Sequence, residues 1–167
     1  MGNLEESAAR RQWALHAAIA GGAVVAVMVF AGLATAPNIP TWYAGLKKPW
    51  FNPPNWVFGP AWSVLYPIIA YALFRILQLP ASTPGRGAAI AAWFVQLALN
   101  CGWSLAFFAA RSTSLGLVVV AAMWLAIAAT ARMFWPLDRV AAWVLAPYLA
   151  WVSFAAALNF AVWRLNP

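Results

Sequence analysis

The sequence predicts an all-α membrane protein: a bundle of five transmembrane helices with a long proline- and aromatic-rich loop between helices 1 and 2. Three observations carry that prediction. The 167 residues are 65% hydrophobic and only 8% charged, with a mean hydropathy of +0.77, whereas a soluble domain carries about 25% charged residues. Five apolar stretches are each long enough to cross a bilayer, whose hydrocarbon takes roughly 20 helical residues. Finally, one long interruption, Pro37 to Tyr66, separates the first stretch from the second and reads PNIPTWYAGLKKPWFNPPNWVFGPAWSVLY.

The first span is expected at residues 13–36. Its length sets it apart from the shorter apolar core of a signal peptide, although Arg10 and Arg11 precede it. Ala18, Gly22 and Ala26 recur every four residues there and predict a stripe for close helix contact. His16 near its start has no companion ligands, so it reads as an interfacial histidine rather than a metal ligand.

The second span is expected at 53–79. Asn52 is the candidate cap and Pro53 suits a first turn, where its missing N–H costs nothing. Distortions are expected at Gly59-Pro60 and at Pro67, and Arg75 is placed to snorkel out at the far end. The turn PASTPGRG then breaks the chain.

The third span is expected at 88–110, closed by Arg111. The fourth, at 115–135, carries a second small-residue stripe of Ala122, Ala126 and Thr130. Asp138 is a candidate cap for the fifth, at 140–163. Residues 1–167 read as one domain, with no internal repeat.

Pro37, Pro40, Pro49, Pro53, Pro54 and Pro60 are half of the chain's 12 prolines, and Trp42, Tyr43, Trp50, Phe51, Trp56 and Phe58 alternate with them. Proline lowers the entropy lost on ordering a loop, and aromatic rings bring rigid contact surface. Two readings stand side by side: an ordered lid over a pocket, or an interfacial belt of Trp and Tyr at headgroup level.

The formal net charge is +7, but the cations lie singly at the ends of apolar runs. They read as membrane anchors, with membrane lipid as the partner and no nucleic acid. Setting aside Arg75 and Arg132, four basic residues fall on each side, so the positive-inside rule gives no orientation. Cys101 is the single cysteine, which excludes an intramolecular disulfide and a cysteine metal cluster.

One His, one Cys and no acidic pair within the spans leave general acid–base and metal catalysis without their usual groups. What remains is aromatic and amide-rich. Gln96, Asn100, Trp103, Ser104 and Phe107 share one face of the third span by steps of three and four. Trp62 and Tyr66 share a face of the second. Trp151, Ala155, Leu158 and Asn159 share a face of the fifth, with Pro147 and Tyr148 a turn earlier. These faces either line a flat apolar pocket, which 12 Trp in the chain favour, or glue helices together through interhelical amides.

Trp42-Tyr-Ala-Gly-Leu-Lys-Lys-Pro49, Asn52-Pro-Pro-Asn-Trp-Val-Phe-Gly-Pro60 and Trp62-x-x-x-Tyr66 resemble the translocator protein / tryptophan-rich sensory protein family (TspO/MBR). So do Gln96-Leu-Ala-Leu-Asn100-x-x-Trp103 with Phe107-Phe-x-x-Arg111, Pro147-Tyr-Leu-Ala-Trp-x-x-Phe154, and Leu158-Asn-Phe-x-Val-Trp-Arg164. The matches are ordered and run from Trp42 to Arg164.

The resemblance implies a five-helix bundle, often a homodimer, with a pocket under the first loop. It implies binding of tetrapyrroles (protoporphyrin IX or haem), of cholesterol in animal members, and of benzodiazepine-type drugs, with porphyrin as ligand rather than required cofactor. The ligand-binding positions it carries over are Tyr43, Pro53, Trp62, Tyr66, Asn100, Trp103, Ser104, Trp151 and Ala155. Light-dependent porphyrin breakdown, associated with bacterial relatives, makes Trp62 and Trp151 candidate photochemical residues. A sterol-type motif falls on Leu158, Phe160 and Arg164. Two positions depart from the family pattern: the lid has Trp50-Phe51 where members commonly place Trp second, and Phe160 stands where the sterol pattern has Tyr.

The reading is a multi-pass membrane receptor or sensor for tetrapyrroles, expected in a bacterial cell membrane, with bacterial or mitochondrial outer membranes as the family alternatives. The rival classes are a cholesterol or lipid transporter and a light-dependent porphyrin-degrading enzyme.

Overall fold

The computed structural model describes residues 2–167. Its helices are α1 (Gly2–Thr35), α2 (Phe58–Leu77), α3 (Arg86–Ser104), α4 (Thr113–Phe134), α5 (Arg139–Trp143) and α6 (Ala146–Leu165). Among the described residues, five segments are long and apolar enough to cross a membrane, α5 and α6 together forming the last. The chain is thus a multi-pass integral membrane protein.

Helix α1 begins well before residue 13. Hydrocarbon thickness limits only the embedded part of a helix, and the preceding residues, rich in Ala, Glu and Arg, are good helix formers. The expected contact stripe of Ala18, Gly22 and Ala26 instead faces outward. The buried face is His16, Ala20, Val24 and Ala31, on the helix that packs against α2 and α3. His16 is buried against the end of α2, its Nδ1 3.2 Å from Gln78 Nε2, rather than standing at the interface.

The loop after α1 is more helical than its prolines suggest. A 3-10 turn (Ala36–Asn38) leads into a π turn (Ile39–Tyr43), each with proline in its opening positions, where no N–H is needed. The helical entry to α2 comes later than Asn52. Pro53 precedes Pro54, and a residue before proline is driven out of the α region. Asn52 is occupied elsewhere: its Oδ1 accepts from the Tyr43 hydroxyl at 2.9 Å, and its Nδ2 donates to the Pro53 carbonyl at 3.0 Å. A 3-10 turn, Asn55–Val57, therefore precedes α2. Pro60 falls in the first turn of α2, so no distortion is required at Gly59-Pro60; Pro67 does lie inside the helix.

Arg86 closes α2, donating from Nε to the Ile76 carbonyl at 3.2 Å and from Nη2 to the Leu77 carbonyl at 3.1 Å. Cations suit the last carbonyls of a helix. Helix α3 ends in a second π turn, Leu105–Ala109, and Arg111 takes a left-handed φ of 52° before α4.

Asp138 caps α5 as its position predicts, its Oδ1 accepting from Ala141 N–H at 3.0 Å. It also holds Arg75, Nε to Oδ2 2.8 Å, so Arg75 pairs across the bundle instead of simply snorkelling. Burial would raise the Asp138 pKa, but the Ala141 N–H and the Arg75 guanidinium together hold it below the ordinary carboxylate value. The expected single fifth helix breaks at Val144–Leu145. Pro147 has no N–H for the Trp143 carbonyl, and the chain tightens through Leu145 N–H to Ala142 O at 3.2 Å before α6.

The spans close a ring: α1 packs on α2 and α3, α3 on α4, α4 on α6, and α6 with α5 returns to α2. Two cores result. Away from the loop, Ile69, Leu73, Trp93, Met123, Ile127, Phe134 and Tyr148 are fully enclosed. Beneath the loop, Tyr43, Phe107, Phe108, Leu158 and Val162 form a smaller cluster, joined by Trp42 and Phe51 from the loop itself.

Candidate ligand cavity

Beneath the loop the bundle encloses a cavity of about 490 Å³. Its floor is a hydrogen-bonded chain across three helices. The Tyr66 hydroxyl donates to Asn100 Oδ1 at 3.3 Å, and Asn100 Nδ2 donates to the Tyr148 hydroxyl at 3.1 Å. Both ends of the Asn100 amide are thereby used, as a buried amide requires. Trp62, one turn from Tyr66, lies over it with ring centroids 5.0 Å apart and an interplanar angle of 28°.

A second aromatic plane stands on α3. Trp103 stacks on Phe107 at 5.5 Å and 21°, and its Nε1 donates to Asn159 Oδ1 at 3.1 Å. Asn159 Nδ2 in turn donates to the Thr113 carbonyl at 2.8 Å, so one amide ties α3, α4 and α6. Gly116 makes room for this junction. A Cβ there would lie 2.8 Å from Phe107 Cδ2 and 2.9 Å from Asn159 Oδ1.

The loop roofs the cavity, and Ile39, Tyr43, Asn55 and Trp56 all line it. Lys48 Nζ sits 4.6 Å from the Tyr43 ring centroid. The roof is tied down near its start and at its middle. Arg111 Nε donates to Asn38 Oδ1 at 3.2 Å. Lys47 N–H donates to Asn166 Oδ1 at 3.0 Å, and Asn166 Nδ2 donates back to the Lys47 carbonyl at 2.9 Å. Of the two readings of this loop, the lid describes Tyr43 and its inward neighbours. Trp50 is 95% exposed and does not line the cavity, whereas Trp56 lines it while 74% exposed.

Tyr43, Trp62, Tyr66, Asn100, Trp103, Ser104 and Ala155 all line the cavity, as does Leu158. Pro53 and Trp151 do not. Pro53 lies within the lid and turns its carbonyl to Asn52. Trp151 sits one layer back, edge-to-face on the lining residue Phe58 at 5.9 Å. Phe160 and Arg164 are exposed on the outside of α6 while Leu158 is buried inside, because two residues along a helix turn a side chain to the opposite face. Gln96, a turn from Asn100, is buried and its amide meets no protein partner among the described residues.

The contribution of α1 was missed: Met28, Ala31, Gly32 and Thr35 reach the cavity, and their spacing of three and four was available as a signal. Among the described lining residues none is Lys, Arg, Asp, Glu, His or Cys, and no group of three or more His, Cys, Asp or Glu among the described residues could hold a metal. The lining therefore offers shape, π surface and hydroxyl or amide hydrogen-bonding groups.

The profile of the TspO/MBR family matches residues 19–164. The chain belongs to the TspO/MBR family. Among curated TspO/MBR relatives, the tryptophan-rich sensory protein of Cereibacter sphaeroides is 44% identical over 125 residues, covering 75% of this chain and 77% of the relative. Protein CrtK of Rhodobacter capsulatus is 40% identical over 126 residues, 75% of this chain and 79% of its own. The human translocator protein is 40% identical over 126 residues, 75% of each chain. The TspO/MBR match thus covers every element that builds the cavity.

Proposed function

We propose that this TspO/MBR protein is a membrane receptor whose lidded cavity takes a planar tetrapyrrole, with protoporphyrin IX as the reference ligand. One observation carries the reading: two stacked aromatic pairs, Trp62–Tyr66 and Trp103–Phe107, wall a cavity of about 490 Å³. That volume is within the roughly 300–1,000 Å³ of ligand sites, and flat π systems prefer such walls. The names of the relatives, sensory protein and translocator protein, support a sensing or transport role for the bound state.

The lining chemistry sharpens the ligand class. With no charged lining residue, a tetrapyrrole's carboxylates belong at the cavity mouth, in water or headgroups, because a buried unpaired carboxylate is costly. With neither His nor Cys in the lining, haem iron gains no strong axial ligand, so metal-free porphyrin is preferred over haem. Light-driven porphyrin loss is the second reading. It would draw on Trp62, in the wall, rather than on Trp151 behind Phe58. A sterol site on Leu158, Phe160 and Arg164 is disfavoured, since Leu158 is buried on the face of α6 away from Phe160 and Arg164.

Titration of the purified protein with protoporphyrin IX, read by tryptophan emission with inner-filter correction, is the test. Saturable quenching that weakens in Trp62→Phe and much less in Trp151→Phe is the expected result. Non-saturable quenching, or quenching untouched by Trp62→Phe, would remove the proposal. Illuminated and dark samples of the same variants decide the photochemical reading.

A further inference from the structure

The cavity under the lid is open on its α1–α2 side. Part of its lining is deep in the bundle, as with Ala31 and Tyr66, which are buried. Four other lining residues are exposed: Met28 and Gly32 on α1, Gly59 and Ser63 on α2. A residue that both lines a cavity and is exposed stands at an opening. Within each pair the spacing is four, so each pair occupies one face of its helix.

Helix register sets the two pairs opposite one another. At the end away from the lid α1 and α2 touch: Trp13 meets Phe74 edge-to-face at 5.4 Å, and His16 Nδ1 is 3.2 Å from Gln78 Nε2. The helices run antiparallel with equal rise, so counting from those contacts brings Met28 roughly level with Ser63 and Gly32 with Gly59. Toward the lid they therefore face each other across two glycines, a serine and one methionine. A Cβ at Gly32 or at Gly59 would meet nothing within 4 Å. The result is a slot where larger side chains would interlock.

The slot reaches hydrocarbon depth. The lid carries Lys47 and Lys48, and Arg111 donates to Asn38 where α1 gives way to the lid, so headgroups belong at that level. At 1.5 Å per residue, Met28 lies about 10 Å along α1 from Thr35, and Ser63 about 8 Å along α2 from Phe58. Their chain neighbours Val29 and Val64 are exposed apolar side chains, as lipid contact requires. Asn55 and Trp56, exposed and lining, form the upper edge.

We infer that the cavity is loaded and emptied sideways, through this slot, by a flat apolar molecule already dissolved in the bilayer. The inference rests on the tetrapyrrole reading and adds the route. A macrocycle passes edge-on, its apolar edge at the level of Met28 and its carboxylates near Asn55 and the headgroups, since a buried unpaired carboxylate is costly. Passage breaks neither the Arg111–Asn38 nor the Lys47–Asn166 hydrogen bonds of the lid. The lid borders the slot at Trp56, so loosening the lid widens the same passage.

The test uses the full chain in phosphatidylcholine vesicles. Stopped-flow mixing with protoporphyrin IX gives the relaxation rate of tryptophan quenching, and the end points give the affinity. Gly32→Leu and Ser63→Leu each narrow the slot and should slow the relaxation about tenfold, within the range over which association rates vary among variants of one site. Association and release slow together, so affinity should change far less than rate. Met28→Ala widens the slot and should speed the relaxation. Gly22→Leu is the control: it adds the same side chain to an exposed position of α1 that does not line the cavity, and its Cβ meets nothing within 4 Å. It should relax as the parent does.

Saturable binding with rates indifferent to all three slot variants would overturn the route and leave the tetrapyrrole reading standing. Equal slowing in Gly22→Leu, or affinity lost in proportion to rate, would also overturn it. No saturable quenching in the parent would remove the tetrapyrrole reading and this route with it.

Discussion

The two halves of the bundle solve opposite problems with the same kind of residue. Away from the lid, Trp93 is fully enclosed and donates from Nε1 to the Ile69 carbonyl at 3.1 Å. It belongs to a core that is mostly aliphatic and meets Phe94 edge-to-face at 5.0 Å. Beneath the lid, Trp62 and Trp103 are only partly buried, and each presents a face to the cavity. Indole fills space in the first half and frames it in the second. The polar links differ as well: the lower half has the Arg75–Asp138 pair at its rim, the upper half a set of neutral amides and phenols. A rigid, filled half can hold a concave site open in the other, since binding sites draw on the less stable parts of a fold.

The largest break in this comparison is Trp93→Ala. It removes a fully buried indole and leaves a void, for a loss of about 3–5 kcal/mol; thermal melting in detergent reads it. Trp62→Ala, by enlarging a cavity already present, should cost far less stability and mainly reduce porphyrin quenching. Equal stability losses in the two variants would erase the distinction between filled and framed halves.

Next comes Gly116→Ala. Its new methyl meets Phe107 and Asn159 inside van der Waals distance, an overpacking of about 1–3 kcal/mol. The relief available is movement of both side chains into the cavity, so ligand affinity should drop along with stability. Gly102→Ala is the control, because its nearest contact would be Val119 Cγ1 at an ordinary 3.8 Å, and it should leave both quantities unchanged.

Asn166→Ala cuts both hydrogen bonds between the chain end and Lys47. These are exposed, so stability should fall by only about 0.5–1.5 kcal/mol. The lid should open more often, and stopped-flow measurement should find faster ligand release. Unchanged release would place the restraint on the lid at Asn38–Arg111 instead.

The smallest effect concerns acid. The folded pKa of Asp138 lies below its ordinary 3.8. The Arg75–Asp138 link and the α5 cap therefore contribute fully above the unfolded value and are lost as pH falls through the lower, folded one. For a pair this exposed the contribution is under about 1 kcal/mol. Melting curves collected between neutral pH and pH 3 should show Asp138→Asn less stable than the parent at neutral pH, with the gap closing in acid.

The five crossings, the turns between them and the shared faces of Trp62 with Tyr66 and of Asn100 with Trp103 and Ser104 were legible in the chain by itself. Apolar run length against bilayer thickness is a one-dimensional quantity, and steps of three and four on a helix place Asn100 over Trp103 without any partner. The Asp138 cap was legible for the same reason: it depends on residues three apart.

What the chain could not state is which side of a helix meets a neighbour. Ala18, Gly22 and Ala26 form as good a stripe as any, yet α1 turns Ala20 and Val24 inward, because α2 and α3 together bury more there. Asn52 looked free to cap α2, and only the folded lid brings Tyr43 to it. Trp151 and Phe58 compete for one wall, and the break before Pro147 and the late start of α2 settle which of them reaches the cavity. The close approach at Gly116 belongs to tertiary structure as well. Each depends on a distance between helices, and that distance is set by the packing of all the others.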